Sequence, residues 1–415
     1  MAAVRPFKAF RPAPALAGRC AALPYDVFST EEARREVEKE PLSFLAIDRP
    51  ETQFEEGHDM YAPEVYSKAH DLLWARIEDG TYVQDSVPCF YIYEQTIDGR
   101  TQTGIVACAS ADDYLSGVIK KHENTLAAKE EDRVRHIDAC DAQTGPIFLG
   151  YRRNEVISKA VDKVRYTGRP VYDFVSGDNV RNRIWVAADE DDIQTIQDAF
   201  EQVDSLYIAD GHHRCASAVR VCQKRRAQDP SPDGKKEYDY FLSVLFPEDE
   251  LRIMDYNRVV KDLNGLTADE FVKRVSEKYE VEKGTAEQIR AAHKYEVSMY
   301  LGGIWYRLTA RDNIRKNDVV DGLDVAILQN EILSPVLGID DPKTDPRIDF
   351  VGGIRGLSEL ERRCAEDCVL AFAMYPTAVS ELFDVADAGR LMPPKSTWFE
   401  PKLLSGLFIH SINHN

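Results

Sequence analysis

The chain has 415 residues, with 52 Lys+Arg against 71 Asp+Glu, a formal charge of −19. An acidic surface repels phosphate backbones, so neither DNA nor RNA is expected as a partner without a local basic patch. Hydrophobic residues at 44% and charged residues at 30% fit an ordinary globular chain and exclude a disordered one.

At roughly 150 residues per domain, the length suggests two or three regions. The first, 1–114, reads as mixed α/β. Pro24-Tyr25-Asp26-Val27-Phe28 is a short extended piece, and Ser29 with Glu32 forms the S-x-x-E pattern that opens a helix through Val37. Residues 88–96 and 101–109 are β-rich runs joined by Ile97-Asp98-Gly99-Arg100, a tight hairpin turn.

The second region, 115–262, alternates strand and helix. Val118-Ile119 leads into His122-Glu123-Asn124-Thr125, and residues 126–139 read as a charged helix. Strands are expected at 146–149, 171–175 and 184–187, the last two flanking the turn Ser176-Gly177-Asp178-Asn179. A helix over 189–200, a buried strand over 206–209 and a helix over 214–225 follow. Residues 238–246 form a continuous strand-like run, with 251–254 expected as its hairpin partner.

The third region, 263–415, opens on a capping box, Thr267-Ala268-Asp269-Glu270. A hairpin is expected around Gly302-Gly303. The eight cysteines are too dilute for a disulfide scaffold and point to free thiols in a reducing cytoplasm. No secretory signal and no membrane-spanning run is visible, so a soluble protein is expected.

The sharpest local signal is Tyr207-Ile208-Ala209-Asp210-Gly211-His212-His213-Arg214. An apolar strand stops, a glycine turns the backbone, and a helix begins. Free amides and the positive helix end converge there, and Arg214 can add a bidentate fork to a phosphate. The alternative is a plain turn in which Asp210 caps the helix and the histidines are solvated. A metal reading of His212 and His213 lacks a third ligand at suitable spacing.

A second signal is Lys120-Lys121-His122-Glu123-Asn124-Thr125, with Lys129, Asp132 and Arg133 on the next helix. Glu123 could act as a general base, and Lys129 and Arg133 share a face; surface ion pairs are the alternative. Lys395-Ser396-Thr397 resembles the end of a nucleotide P-loop without its glycines, leaving a phosphate contact or a polar turn. Cys364 and Cys368 have no second pair for zinc and read as thiols in a helix.

Together these blocks, with Leu23-Pro24-Tyr25-Asp26-Val27 near the start and Met392-Pro393-Pro394 and Pro401-Lys402-Leu403 near the end, resemble a bacterial and archaeal family of unknown function, number 1015. The Asp-Gly-His-His-Arg block is similar to that of the free serine kinases of the ParB/sulfiredoxin-like superfamily. Those kinases are shorter, so residues 1 to about 110 and the region after about 260 are expected to have no counterpart in them.

The resemblance implies a ParB/sulfiredoxin-like nucleotide-binding core with additional N- and C-terminal α/β regions. It implies phosphoryl transfer between ATP or ADP and the hydroxyl of a small amino acid, L-serine giving O-phosphoserine. Asp210, Gly211, His212, His213 and Arg214 would hold the phosphoryl group and Mg²⁺, with Asp210 the metal contact and Glu123 the base. Lys129, Asp132, Arg133, Lys395, Ser396 and Thr397 would bind the nucleotide. The alternatives are a non-catalytic nucleotide-binding regulator and a metal-dependent hydrolase.

Overall fold

The computed structural model describes residues 1–413. Two compact units emerge: Met1–Leu251 together with the segment beginning at Pro401, and Arg252–Glu400.

The first unit is built on a nine-stranded mixed sheet. Its strands are β1 (Val4–Arg5), β2 (Phe90–Ile97), β3 (Arg100–Ser110), β4 (Ile119–Lys120), β5 (Ile147–Tyr151), β6 (Tyr172–Val175), β7 (Arg181–Ala187), β8 (Leu206–Asp210) and β9 (Tyr240–Pro247). They run in the order β4-β8-β5-β9-β3-β2-β7-β6, with β1 beside β3. The β2–β3 hairpin forms at the expected turn, where Asp98 and Gly99 both take positive φ, 50° and 75°. Two successive positive φ values match the right-handed twist of the flanking strands.

Residues 251–254 do not pair with β9. That strand is already flanked by β3 and β5, so it offers no free edge to a hairpin partner. Instead Ile253–Met254 pairs with Trp398–Phe399 in the second unit.

The helices that matter for the site are α1 (Thr30–Lys39), α2 (Pro63–Glu78), α3 (Ala127–Cys140) and α4 (His212–Gln228). In α1 the expected capping box is made, with Ser29 accepting from the Glu32 N–H and Glu32 accepting from the Ser29 N–H. Helix α4 begins two residues earlier than the sequence suggests, which puts both histidines in its first turn. Helices α3 and α4 lie side by side. The Ser217 hydroxyl donates to the Glu130 carbonyl at 3.0 Å, and Arg225 and Lys224 both grip Asp138.

Beneath the strands is a core that includes Ile105, Leu149, Ile208 and Phe241, all essentially inaccessible to water. A second core gathers Phe44, Leu45, Ile47 and Tyr82 with Ile409 from the C-terminal segment. That segment thus returns to complete the first unit.

The second unit carries a six-stranded antiparallel sheet of β10 (Tyr256–Val260), β11 (Tyr279–Gly284), β12 (Glu296–Leu301), β13 (Ile304–Ala310), β14 (Ile348–Gly352) and β15 (Leu370–Met374). Both sequence expectations hold here. Thr267 and Glu270 make the capping box, and Gly302 and Gly303 turn the β12–β13 hairpin with φ of 59° and 80°.

The fold is mixed α/β. The large sheet takes strands from both sides of residue 114. All eight cysteines are free thiols, and no helix among the described residues is long and apolar enough to cross a membrane.

Candidate functional site

Strand β8 ends in an irregularity: its register against β5 shifts between Ile208 and Asp210. Such a bulge re-aims the side chain that follows. Gly211 then adopts φ 89°, ψ 32°, and α4 starts with no side chain capping it and no acidic residue in its first turn. The first amides of a helix have no intrahelical partners, so this end presents N–H donors and partial positive charge.

Asp210 is fixed on both oxygens. Its Oδ1 accepts the Gly211 N–H at 2.7 Å, and its Oδ2 pairs with the Lys402 ammonium at 3.1 Å. Lys402 is itself anchored by Gln95, whose amide donates to the Lys402 carbonyl at 2.9 Å. Burial alone would raise the Asp210 carboxyl, but Lys402 and then Arg214 outweigh it and hold the group below the usual carboxylate range. The Asp210 carboxylate thus stands between two cations.

Arg214 does not point outward as a free fork. It is buried, donates to the Pro146 carbonyl, and lies so close to the turn that a Cβ on Gly211 would sit 3.1 Å from its Nε. Gly211 is therefore required both for its positive φ and for this close approach. Gly211→Ala is expected to cost about 1–2 kcal/mol of stability from backbone conformation alone. Unfolding midpoints in urea check this, and an unchanged midpoint contradicts it.

The two histidines hold the neighbouring motif. His212 packs edge-on against His122, with ring centroids 4.5 Å apart at 90°. The His213 Nε2 accepts the Leu126 N–H at 3.0 Å. Segment 122–126 is thus pinned at both ends by the first turn of α4. Glu123, half-buried, lies between the two anchors. The His212 Nε2 is buried and makes no hydrogen bond to any described residue, the kind of orphaned polar atom that a ligand or water satisfies.

Burial lowers both rings, His122 to about 4 and His212 well below the ordinary imidazole value. His136 and His410, also buried, are lowered for the same first reason. Above pH ~6.5 imidazoles are neutral in folded and unfolded chains alike, so these groups do not affect stability there. As pH falls below that, the unfolded chain binds protons that the folded one refuses, and stability drops. For His122 the loss is roughly 3 kcal/mol by about pH 4. Urea midpoints at about pH 7.5 and about pH 5 should show it, and a flat profile contradicts it.

A cavity of about 240 Å³ adjoins this turn. It is lined by Tyr25, Asp26, Lys129, Asp132, Arg133 and His213, among others. Asp132 accepts from the Tyr66 hydroxyl at 2.9 Å and pairs with Arg133 at 2.8 Å. The Arg133 guanidinium also stacks over Tyr25, 4.2 Å from the ring centroid, and reaches the Asp48 carbonyl at 3.3 Å. Burial pushes the Tyr25 phenol up to about 12. Arg133 also lines, with Arg214, a smaller cavity of about 30 Å³, together with Asp48, His136, Gln143 and Thr144. That is room for a water or two among polar partners.

The residues singled out in the sequence thus fall into three groups. Glu123, Asp210, Gly211, His212, His213 and Arg214 come together at the turn, and Lys129, Asp132 and Arg133 line the adjoining cavity. Lys395, Ser396 and Thr397 belong to the second unit. There the Lys395 ammonium lies 5.6 Å from the Tyr256 ring centroid, its carbonyl accepts from Arg258, and the Ser396 hydroxyl donates to the Pro393 carbonyl at 2.6 Å.

Sequence reasoning missed Lys402, Asp26, Asp48 and Arg49 as site residues. Lys402 and Asp26 stood inside recognised motifs without a role; nothing local marked Asp48 or Arg49. Among the described residues no group of three or more His, Cys, Asp or Glu could hold a metal ion.

The family model described as "Protein of unknown function (DUF1015)" matches residues 4–326. No curated protein matches the sequence. Similar solved structures include a free serine kinase in complex with AMP, at 14% identity and TM-score 0.35, covering 71% of this chain and 86% of that one. SbnI with a C-terminal truncation from Staphylococcus aureus matches at 12% identity and TM-score 0.38, covering 72% and 85%. A conserved hypothetical protein from Pyrococcus furiosus matches at 13% and 0.33, covering 72% and 92%. Coverage of 71% of this chain by the kinase reaches beyond residues 115–262, against the expectation that the flanking regions have no counterpart there. Likeness at that level says nothing of chemistry.

Proposed function

We propose, for a chain that belongs to the family described as Protein of unknown function (DUF1015), that its first unit transfers a phosphoryl group between ATP or ADP and the hydroxyl of a small amino acid, L-serine before others. The observation that carries this is the sharing of His213. It stands in the first turn of α4, where an anion is favoured, and it also lines the 240 Å³ cavity. Pockets that enclose drug-sized ligands run from roughly 300 to 1,000 Å³. The cavity therefore suits a small acceptor and not a whole nucleotide, while the turn suits the phosphate being moved.

In the forward direction a new O–P bond forms from the acceptor hydroxyl as the bond between the terminal phosphorus and its bridging oxygen breaks. ADP leaves if ATP is the donor, AMP if it is ADP. Glu123, fixed between the anchors at His122 and Leu126, takes the hydroxyl proton. Helix amides, Arg214 and Lys402 bias the turn toward the negative charge on the transferring oxygens, the larger task in phosphoryl transfer.

Mg²⁺, when bound, neutralises nucleotide phosphate charge. Asp210 stays ionised and fits it only jointly with those phosphates, because Lys402 and Arg214 already compensate its charge.

Incubating the purified chain with L-serine, Mg²⁺ and either ATP or ADP should yield O-phosphoserine and the matching shorter nucleotide by phosphorus NMR. No product with either donor overturns the proposal.

A further inference from the structure

Six acidic or basic side chains other than His213 line the 240 Å³ cavity: Asp26, Arg49, Glu51, Lys129, Asp132 and Arg133. Four of them satisfy one another. Arg49 pairs with Glu51, both nearly inaccessible to water, and Arg133 pairs with Asp132. The Asp26 carboxylate and the Lys129 ammonium make no hydrogen bond or ion pair with any described residue. The cavity therefore keeps one negative and one positive group, both exposed to solvent, that no described side chain neutralises.

Both stand on held backbone. Arg49 donates to the carbonyls of Tyr25 at 3.1 Å and Phe28 at 2.9 Å, stapling the loop on either side of Asp26. Tyr25 is further fixed by the Arg133 guanidinium over its ring. Lys129 lies in the first turn of α3, the helix that supplies Asp132 and Arg133.

We infer that Asp26 and Lys129 read the two charges of a free amino acid, Asp26 accepting from its α-ammonium and Lys129 donating to its α-carboxylate. This rests on the phosphoryl-transfer reading for the fate of the hydroxyl, and it moves Lys129 from the nucleotide to the acceptor. A phosphate ester would need two cations and no carboxylate, and a sugar would need neither charge. A peptide-bound serine lacks both charges, so the site selects the free amino acid.

The test is calorimetric titration of the full chain with L-serine, ethanolamine, which lacks the carboxylate, and 3-hydroxypropionate, which lacks the ammonium. Each charge-assisted contact should be worth roughly ten- to a hundredfold in affinity, so serine should bind tighter than either analogue by that factor. Asp26→Asn should collapse the preference for serine over 3-hydroxypropionate while serine still outbinds ethanolamine. Lys129→Met should give the reverse pattern.

Equal weakening of all three ligands by either variant, absence of discrimination in the parent chain, or no binding of any of them overturns the inference. The crossed pattern without phosphoryl transfer from ATP or ADP supports the inference and removes the kinase reading instead.

Discussion

Glu123→Gln is expected to slow O-phosphoserine formation by roughly 10²–10⁴-fold, the usual worth of a positioned general base, while leaving the fold intact. The substitution keeps the shape of a half-buried side chain and removes its charge and basicity. The backbone around it is held from outside the residue: the His122 ring against His212 and the Leu126 N–H on His213 both survive the change. Circular dichroism and serine affinity should therefore match the parent while turnover falls. Turnover equal to the parent would remove Glu123 from the chemistry and point to direct solvent acceptance of the proton.

Lys402→Met carries the second large effect. The side chains of Lys402 and Asp210 are 14% and 31% exposed, and the ammonium is the leading influence opposing the burial of the carboxylate. Removing it leaves a partly buried anion with only Arg214 and one backbone N–H to compensate it. A loss of about 2 kcal/mol is expected at neutral pH, in the range for hydrogen bonds to charged groups.

The sign with pH follows from the depressed Asp210 value. The pair's contribution is present above the unfolded aspartate value of ~3.9 and is lost as pH falls through the lower folded value. The gap between parent and variant in urea unfolding should thus be widest near neutrality and narrow in acid. A gap that widens in acid contradicts the pairing.

What could be read from the sequence is what depends on neighbours a few residues apart. The capping boxes at Ser29 and Thr267, the Asp98-Gly99 turn and the strand–glycine–helix junction at Gly211 are all set by spacings of one to three residues, and all are found. The opposite case is the expected hairpin at 251–254. Its local pattern is sound, but β9 already has β3 and β5 as neighbours, a fact about sheet order that no local pattern contains.

The same division runs through the site. Residues 122–126 and 207–214 could each be recognised, but their contact through two histidine rings could not. Lys402 meets Asp210 across 192 positions of sequence. Asp26 and Lys129 line one cavity only because the core around Phe44 and Ile47 places the N-terminal loop against α3. Arg214 reads as an outward phosphate fork by residue type, yet the absence of a Cβ at Gly211 lets it fold back to the Pro146 carbonyl. Pairing decides which charges remain for a ligand, and pairing is a property of the tertiary structure.

The central claim is that the turn from Asp210 into α4 receives the phosphate. A crystal structure of the full chain with ADP, Mg²⁺ and L-serine tests it most directly. A phosphate group is expected on the amides following Gly211, with the amino acid between Asp26 and Lys129. Nucleotide phosphates bound elsewhere, with those amides facing only solvent, would contradict it.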